Sequence, residues 1–164
     1  MERLLKINGT IVRLEGRLIA VLLVCMSVLA VLQVITRYVF VYSILWLEEL
    51  TRYMMVWLTL IGASVALSQN DNIRIDVLPL IFRQKLGVNF YPLINCVELA
   101  FSLVAAWYSL ELVLYTNQSG QLSPAMRLPM ACVYSSFLAG SLLMIFHSVV
   151  NLLQAFCGKR EVRS

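Results

Sequence analysis

The chain has 164 residues, of which 60% are hydrophobic and only 13% charged, and its formal net charge is +4. Charged residues make up about 25% of an ordinary soluble domain, because a domain of this size exposes much of its surface to water. The composition therefore argues against a soluble enzyme, a disordered tail and a secreted disulfide scaffold. It predicts an all-α integral membrane protein, and the length leaves room for four transmembrane helices of about 20 residues each.

The first predicted span covers residues 18–40. Its uncharged part, residues 18–36, is longer than the apolar part of a signal peptide and has no small-residue cleavage site at its end, so we expect a retained helix. Before it, apolar residues recur at helical spacing at positions 4, 7, 11, 14 and 18, flanked by basic residues. This segment is either an amphipathic helix on the membrane surface or a frayed basic tail, because Gly9 weakens the helix.

Three further spans complete a single four-helix domain over residues 1–164. The second is expected at residues 46–68, and its first turns place charged residues in the membrane interface. The third, residues 86–115, is longer than a perpendicular crossing requires, so it is expected to tilt. The fourth covers residues 128–156.

Basic residues predict the orientation of these spans. Four lie in the N-terminal tail, three between the second and third spans and three in the C-terminal tail, whereas the opposite side has three. Because Lys and Arg concentrate in cytoplasmic segments, both termini are expected to be cytoplasmic.

The densest polar feature lies at the outer end of the first two spans and contains Arg37, Trp46, Glu48, Glu49 and Arg52. Acids in the first turn of a helix are favoured by its dipole, and Glu48 can pair with Arg52 four residues later. Such residues commonly anchor span ends in the interface, and their chemistry alone favours that explanation. A functional role stays open, because one acid would be enough for the dipole.

Two ionisable residues lie deeper in the membrane. Glu98 is about 12 residues into the third span, roughly 18 Å along the helix, and an acid at that depth is a functional-site hypothesis. A hydrogen-bonded Glu98 that joins two helices is the slightly favoured alternative. His147 lies roughly 14 Å from the other end of its span, so a Glu98–His147 contact is also considered. Between the second and third spans, Asp76 either caps the next helix or faces water from a surface segment.

Several kinds of functional site are not expected. The sequence has one His, no Walker A motif, no CxxC pair and no Ser/His/Asp set. Catalytic, cofactor and metal sites are therefore not predicted.

The first hairpin and the segments after it carry a family resemblance. The residues are Arg37-Tyr38-Val39-Phe40, Trp46-x-Glu48-Glu49-x-x-Arg52, Trp57, Gly62-Ala63, Ile73-x-Ile75-Asp76, Ser123-Pro124-Ala125 and Pro129. In this order they resemble the small membrane subunit (Q-type, DctQ-like) of TRAP transporters, the tripartite ATP-independent periplasmic carriers of bacteria. The resemblance runs from about residue 37 to 129.

The resemblance implies a function and partners. In this family a large multi-span subunit of the inner membrane carries substrate and sodium by an elevator motion. A periplasmic binding protein delivers an organic acid, such as a C4-dicarboxylate or a sialic acid. The small, non-catalytic subunit enlarges the scaffold and helps to dock the binding protein. Scaffold and docking roles are implied for Arg37, Trp46, Glu48, Glu49, Arg52 and Asp76. The implied partners are these two proteins and membrane lipid, with no nucleic acid and no cofactor.

Two other classes remain open. A small multidrug/proton antiporter also has four spans, but such chains are usually shorter, act as homodimers and place an acid in the first span, where this chain has none. An assembly subunit of another membrane complex is separated from the TRAP interpretation only by the family motifs.

Overall fold

The computed structural model describes residues 2–42, 44–68 and 91–161. They form the helices α1 (Glu2–Tyr38), α2 (Leu45–Ser68), α3 (Tyr91–Ser119) and α4 (Met130–Glu161). All four are long and apolar enough to cross a membrane. The prediction of an all-α, multi-pass membrane protein with four transmembrane helices is confirmed. Asp76 and the predicted start of the third span at residue 86 lie outside the described residues.

Helix α1 differs from the expected separate surface helix and first span. It is one α-helix of 37 residues, about 55 Å long, whereas the hydrocarbon core of a bilayer is roughly 30 Å thick. Gly9 lies inside it without a break. Tertiary contacts made by its neighbours, described below, stabilise the helix where glycine lowers the local propensity.

In the N-terminal part of α1, the side chains that face the other helices are not those of the apolar stripe. The least exposed positions recur every seven residues, beginning with Asn8, Glu15 and Leu22. The apolar side chains of Leu4 and Leu14, which belong to the stripe noted in the sequence, are instead exposed. The polar side chains of Asn8 and Glu15 therefore face the other helices, and most of the apolar stripe faces outward.

The helices pack as an open row in the order α1, α2, α4, α3, and α1 makes few contacts with α4. Helix α4 has the most buried position. In its most apolar stretch 44% of the residues are buried, whereas none is buried in the corresponding stretch of α1. A row exposes far more apolar side chain than a closed bundle does, and this matters for the function.

The contact between α2 and α4 is close because Gly140 has no side chain. A Cβ added at Gly140 would lie 2.9 Å from Cβ of Leu60 and 3.4 Å from its carbonyl oxygen. Ser136, one turn before Gly140 on α4, is also buried, and small residues at this spacing allow helices to approach closely. By contrast, a Cβ added at Gly62 of α2 would meet nothing within 4 Å.

The row of helices has two ends, which we call the loop end and the termini end. The loop end contains the described residues 39–42 and 44 of the α1–α2 connection, and the α3–α4 connection, residues 120–129. The termini end contains the start of α1 and the last turns of α2 and α4. The α3–α4 connection is compact, since the Ser123 amide donates to the Leu128 carbonyl at 2.9 Å.

Candidate functional site

At the loop end, Glu49 binds the α3–α4 connection to α2. Its Oε2 accepts hydrogen bonds from the backbone amides of Ala125 (3.0 Å) and Met126 (2.8 Å). Its Oε1 accepts one from the Tyr53 hydroxyl at 2.5 Å. That hydroxyl also lies 3.5 Å from Sδ of Met130, at the start of α4. A single carboxylate thus fixes the entry to α4 against α2, with charge-assisted hydrogen bonds.

The other residues of the predicted cluster stay on the surface. Arg37, Glu48 and Arg52 are exposed, and Trp46 is 49% exposed. Within the described part of the chain, Glu48 and Arg52 form no ion pair, although their spacing allows one. The two adjacent glutamates therefore have different environments: Glu49 is used internally, whereas Glu48 is available to water or to a partner.

At the termini end, four side chains from three helices form a polar cluster that the sequence analysis missed. His147 of α4 is fully buried. Its Nδ1 lies 2.7 Å from Oδ1 of Asn8, and its Nε2 lies 3.3 Å from both carboxylate oxygens of Glu15. The Ser64 hydroxyl of α2 donates to Oε1 of Glu15 at 3.1 Å. Nearby, the Asn151 amide donates to the Leu67 carbonyl at 2.9 Å.

Hydrogen-bond chemistry limits how this cluster is arranged. Both ring nitrogens of His147 face oxygen atoms, which accept and do not donate. A doubly protonated ring satisfies this geometry with the Glu15 carboxylate as its ion-pair partner. A neutral ring satisfies it when the Asn8 amide is turned to present its NH₂ group. In either case Glu15, only 3% exposed, has hydrogen-bond partners on two other helices.

The cluster joins helices that otherwise hardly touch. Helix α1 makes few direct contacts with α4, and the hydrogen bonds that link His147 with Asn8 and Glu15 lie among them. Because buried polar groups are costly unless they are paired, this arrangement favours one register of α1 along α2 and α4. Its evident role is to position helices.

Glu98 lies half-buried on α3, one turn from two buried polar residues. The Ser102 hydroxyl donates to the Glu98 carbonyl at 2.8 Å, and Asn95 is 2% exposed. The ring nitrogens of His147 are occupied by Asn8 and Glu15 rather than by Glu98. The similar depths of Glu98 and His147 suggested a contact between them, but His147 instead contacts Asn8 and Glu15 of α1.

A sequence signal for the missed cluster does exist. Asn8 and Glu15 are seven residues apart, so they share one face of a helix, while Arg13 and Arg17 beside Glu15 are exposed. The cluster carries no sign of a metal site, since within the described ranges no three His, Cys, Asp or Glu side chains come together as metal ligands do.

Comparison with known proteins covers most of the chain. Residues 26–158 match the family described as tripartite ATP-independent periplasmic transporters, DctQ component. The chain is 28% identical over 140 residues to the isethionate TRAP transporter permease protein DctMQ of Oleidesulfovibrio alaskensis, covering 79% of this chain and 21% of that protein. It is 35% identical over 97 residues to the C4-dicarboxylate TRAP transporter small permease protein DctQ of Vibrio cholerae, covering 57% and 42%.

The match to a third relative is shorter. The putative TRAP transporter small permease protein of Haemophilus influenzae is 39% identical over 57 residues, which is 35% of each chain. The chain thus spans less than half the length of each of these three relatives.

Proposed function

Because this chain belongs to the family of DctQ components of tripartite ATP-independent periplasmic transporters, we propose that it is the non-catalytic small subunit of a sodium-driven importer of organic acids. The resemblance seen in the first hairpin is confirmed, and the chain is a small permease component of a TRAP transporter. The proposal adds a role as a fixed scaffold beside a large, elevator-type membrane subunit.

The open row of helices is the observation that carries the scaffold role. A row buries little of its own apolar surface, and 0% of the most apolar stretch of α1 is buried within the chain. Two polar attachments, one at each end of the row, hold the helices in fixed relation through Glu49 and through Glu15. A rigid, wide and shallow element of this kind suits a wall against which a larger subunit moves.

The length of one relative supports a large partner. The matched segment is only 21% of the permease protein DctMQ of Oleidesulfovibrio alaskensis. In that relative, a segment similar to this chain is therefore covalently joined to a much longer remainder. The partner proposed for this chain is accordingly a large multi-span membrane subunit.

The binding protein is proposed to dock at the loop end. The excess of basic residues on the termini side supports an orientation in which the loop end faces the periplasm of a bacterial inner membrane. Arg37, Trp46, Glu48 and Arg52 are exposed there, and exposed charges of both signs are suited to steering a soluble partner. Glu49 acts indirectly, because it holds the adjoining α3–α4 connection in place.

The substrate is proposed to be a small organic anion. The names of two relatives specify isethionate and C4-dicarboxylate, which are both small organic anions. A C4-dicarboxylate or a sialic acid fits the same class, and the residues that select between them lie on the partner proteins.

Co-purification tests the subunit role. The chain, tagged at its C terminus, is solubilised in mild detergent from native membranes, and the proteins that accompany it are identified by mass spectrometry. A much larger multi-span protein at a one-to-one ratio is expected. Recovery of the chain alone, or only as a homodimer, would contradict the proposal and favour a small antiporter.

Docking at the loop end has its own test with a matched control. Glu48→Arg is expected to weaken the stimulation of uptake by the binding protein, because it reverses an exposed charge. Arg3→Glu reverses an exposed charge at the termini end and serves as the control, since it is remote from the loop-end cluster. Equal stimulation in Glu48→Arg and wild type would refute docking through this residue.

A further inference from the structure

Helix α3 has two chemically different faces. One is small and polar: Asn95, Ser102, Ser109 and Thr116 recur every seven residues, and none is more than 6% exposed. On this face the hydroxyl of Ser109 lies 3.4 Å from that of Ser141 in α4. The inner face of α3 is therefore already occupied by its neighbour within the chain.

The opposite face is large, aromatic and uncovered. It contains what we call the outer α3 stripe: Val97, Phe101, Val104, Tyr108, Glu111 and Tyr115. The five hydrophobic members are 56% to 70% exposed. Successive members are alternately four and three residues apart, which is the spacing by which a helix forms a continuous seam with another helix.

The position of Glu111 indicates what kind of surface covers the outer α3 stripe. It follows Ser109 by two residues, so it points about 200° around the helix from the contact with α4. It lies eight residues before the end of α3 at Ser119, about 12 Å along the helix axis. An exposed carboxyl group thus sits among apolar side chains inside a helix that crosses the membrane.

Lipid is a poor neighbour for this group. Ionisable residues within transmembrane helices almost always face protein or water, and they pair with other polar groups. A second copy of the chain is also a poor neighbour. Two copies with the same orientation pack about a two-fold axis along the membrane normal, which places Glu111 of one opposite Glu111 of the other.

We infer that the outer α3 stripe packs against a transmembrane helix of the large subunit, and that this helix carries Arg, Lys or another hydrogen-bond donor at the level of Glu111. The inference rests on the proposed function, because the large subunit is the partner proposed there. It assigns the interface to α3, at one edge of the row, and leaves α1 at the opposite edge. Aromatic residues supply the contact area, and Glu111 fixes the register.

Photo-crosslinking in the assembled transporter tests the face directly. Benzoylphenylalanine replaces Tyr108 in one variant and Leu110 in a control. The two positions are two residues apart on the same helix, at nearly the same depth but on different sides, and Leu110 is also exposed at 43%. Irradiation is expected to join the chain to the large subunit from position 108, with at least about fivefold lower yield from position 110.

Substitution of Glu111 tests the chemistry. Glu111→Leu is expected to lower the recovery of the large subunit about tenfold, because it leaves the partner's donor buried without an acceptor. Glu111→Gln still accepts a hydrogen bond and is expected to retain more of it. Leu110→Ala is the control, and the amount of each variant in the membrane shows whether it has folded.

The outcomes separate the two proposals. If wild type does not bring down a large subunit at all, the proposed function fails. If it does, but crosslinks form equally from position 110 or join two copies of this chain, the assigned face is wrong and the proposed function stands. Equal recovery with Glu111→Leu and wild type would overturn the role of Glu111.

Discussion

Replacing either of two glycines by alanine allows a quantitative test of the contact between α2 and α4. A Cβ at Gly140 would lie 2.9 Å from Cβ of Leu60, whereas carbon atoms in contact are about 3.5–4.0 Å apart. Gly140→Ala therefore forces the two helices apart locally by roughly 0.6 Å or more. The overlap involves Cβ and the backbone of Leu60, so rotation of a side chain does not relieve it.

In Gly140→Ala a steric cost opposes a gain in helix propensity, whereas in Gly62→Ala only the gain is expected. Overpacking typically costs about 1–3 kcal/mol, while replacing a helical glycine by alanine gains about 1 kcal/mol of helix propensity. Gly140→Ala is thus expected to be about 0–2 kcal/mol less stable than wild type. A Cβ at Gly62 meets nothing within 4 Å, so Gly62→Ala is expected to be slightly more stable.

The assay is unfolding in mixed micelles with increasing dodecyl sulfate, followed by helical circular dichroism. The difference between the two variants cancels helix propensity and measures the steric cost, expected at about 1–3 kcal/mol. Equal stability of Gly140→Ala and Gly62→Ala would show that α2 and α4 do not approach as closely as described.

Three further predictions concern the ends of the row. Glu49→Ala is expected to speed proteolysis or amide exchange in the α3–α4 connection several-fold, because two backbone amides lose a charged acceptor; Glu48→Ala, its exposed neighbour, is expected to change neither rate. Glu15→Gln and His147→Ala are expected to be non-additive in stability by at least about 0.5 kcal/mol in a double-mutant cycle, and strict additivity would contradict their contact. A fluorescent reporter at the C terminus is expected to fold and fluoresce, whereas alkaline phosphatase is expected to be active when fused in the α3–α4 connection; the reverse pattern would overturn the orientation.

Hydrophobic run length is a strong signal, and the sequence was sufficient to predict the number and type of helices. Long uncharged runs, such as residues 18–36, have few stable alternatives to a membrane helix. Boundaries were harder to predict near α1. The spacing of Asn8 and Glu15 puts them on one face of a helix, but their partners Ser64 and His147 are identified only when α2 and α4 are in place.

The candidate site was predicted in part. The sequence pointed to the loop-end cluster, but not to the division of labour between Glu48 and Glu49, since both occupy the start of the same helix. What separates them is the backbone of the α3–α4 connection, about 76 residues further along the chain. Pairing of His147 posed a similar difficulty. Helices α3 and α4 are neighbours, but the ring of His147 contacts Asn8 and Glu15 of α1, and depth in the membrane does not predict the direction in which a side chain points.

Uptake by cells that lack only this chain tests the central claim most directly. Sodium-dependent accumulation of a labelled organic acid is compared in wild-type cells, in a deletion strain that retains the large subunit and the binding protein, and in that strain with the chain restored. Deletion is expected to abolish uptake, and restoration of the chain is expected to recover it. Undiminished sodium-driven uptake after deletion, with the large subunit still present in the membrane, would contradict the claim that this chain is a required subunit of the transporter.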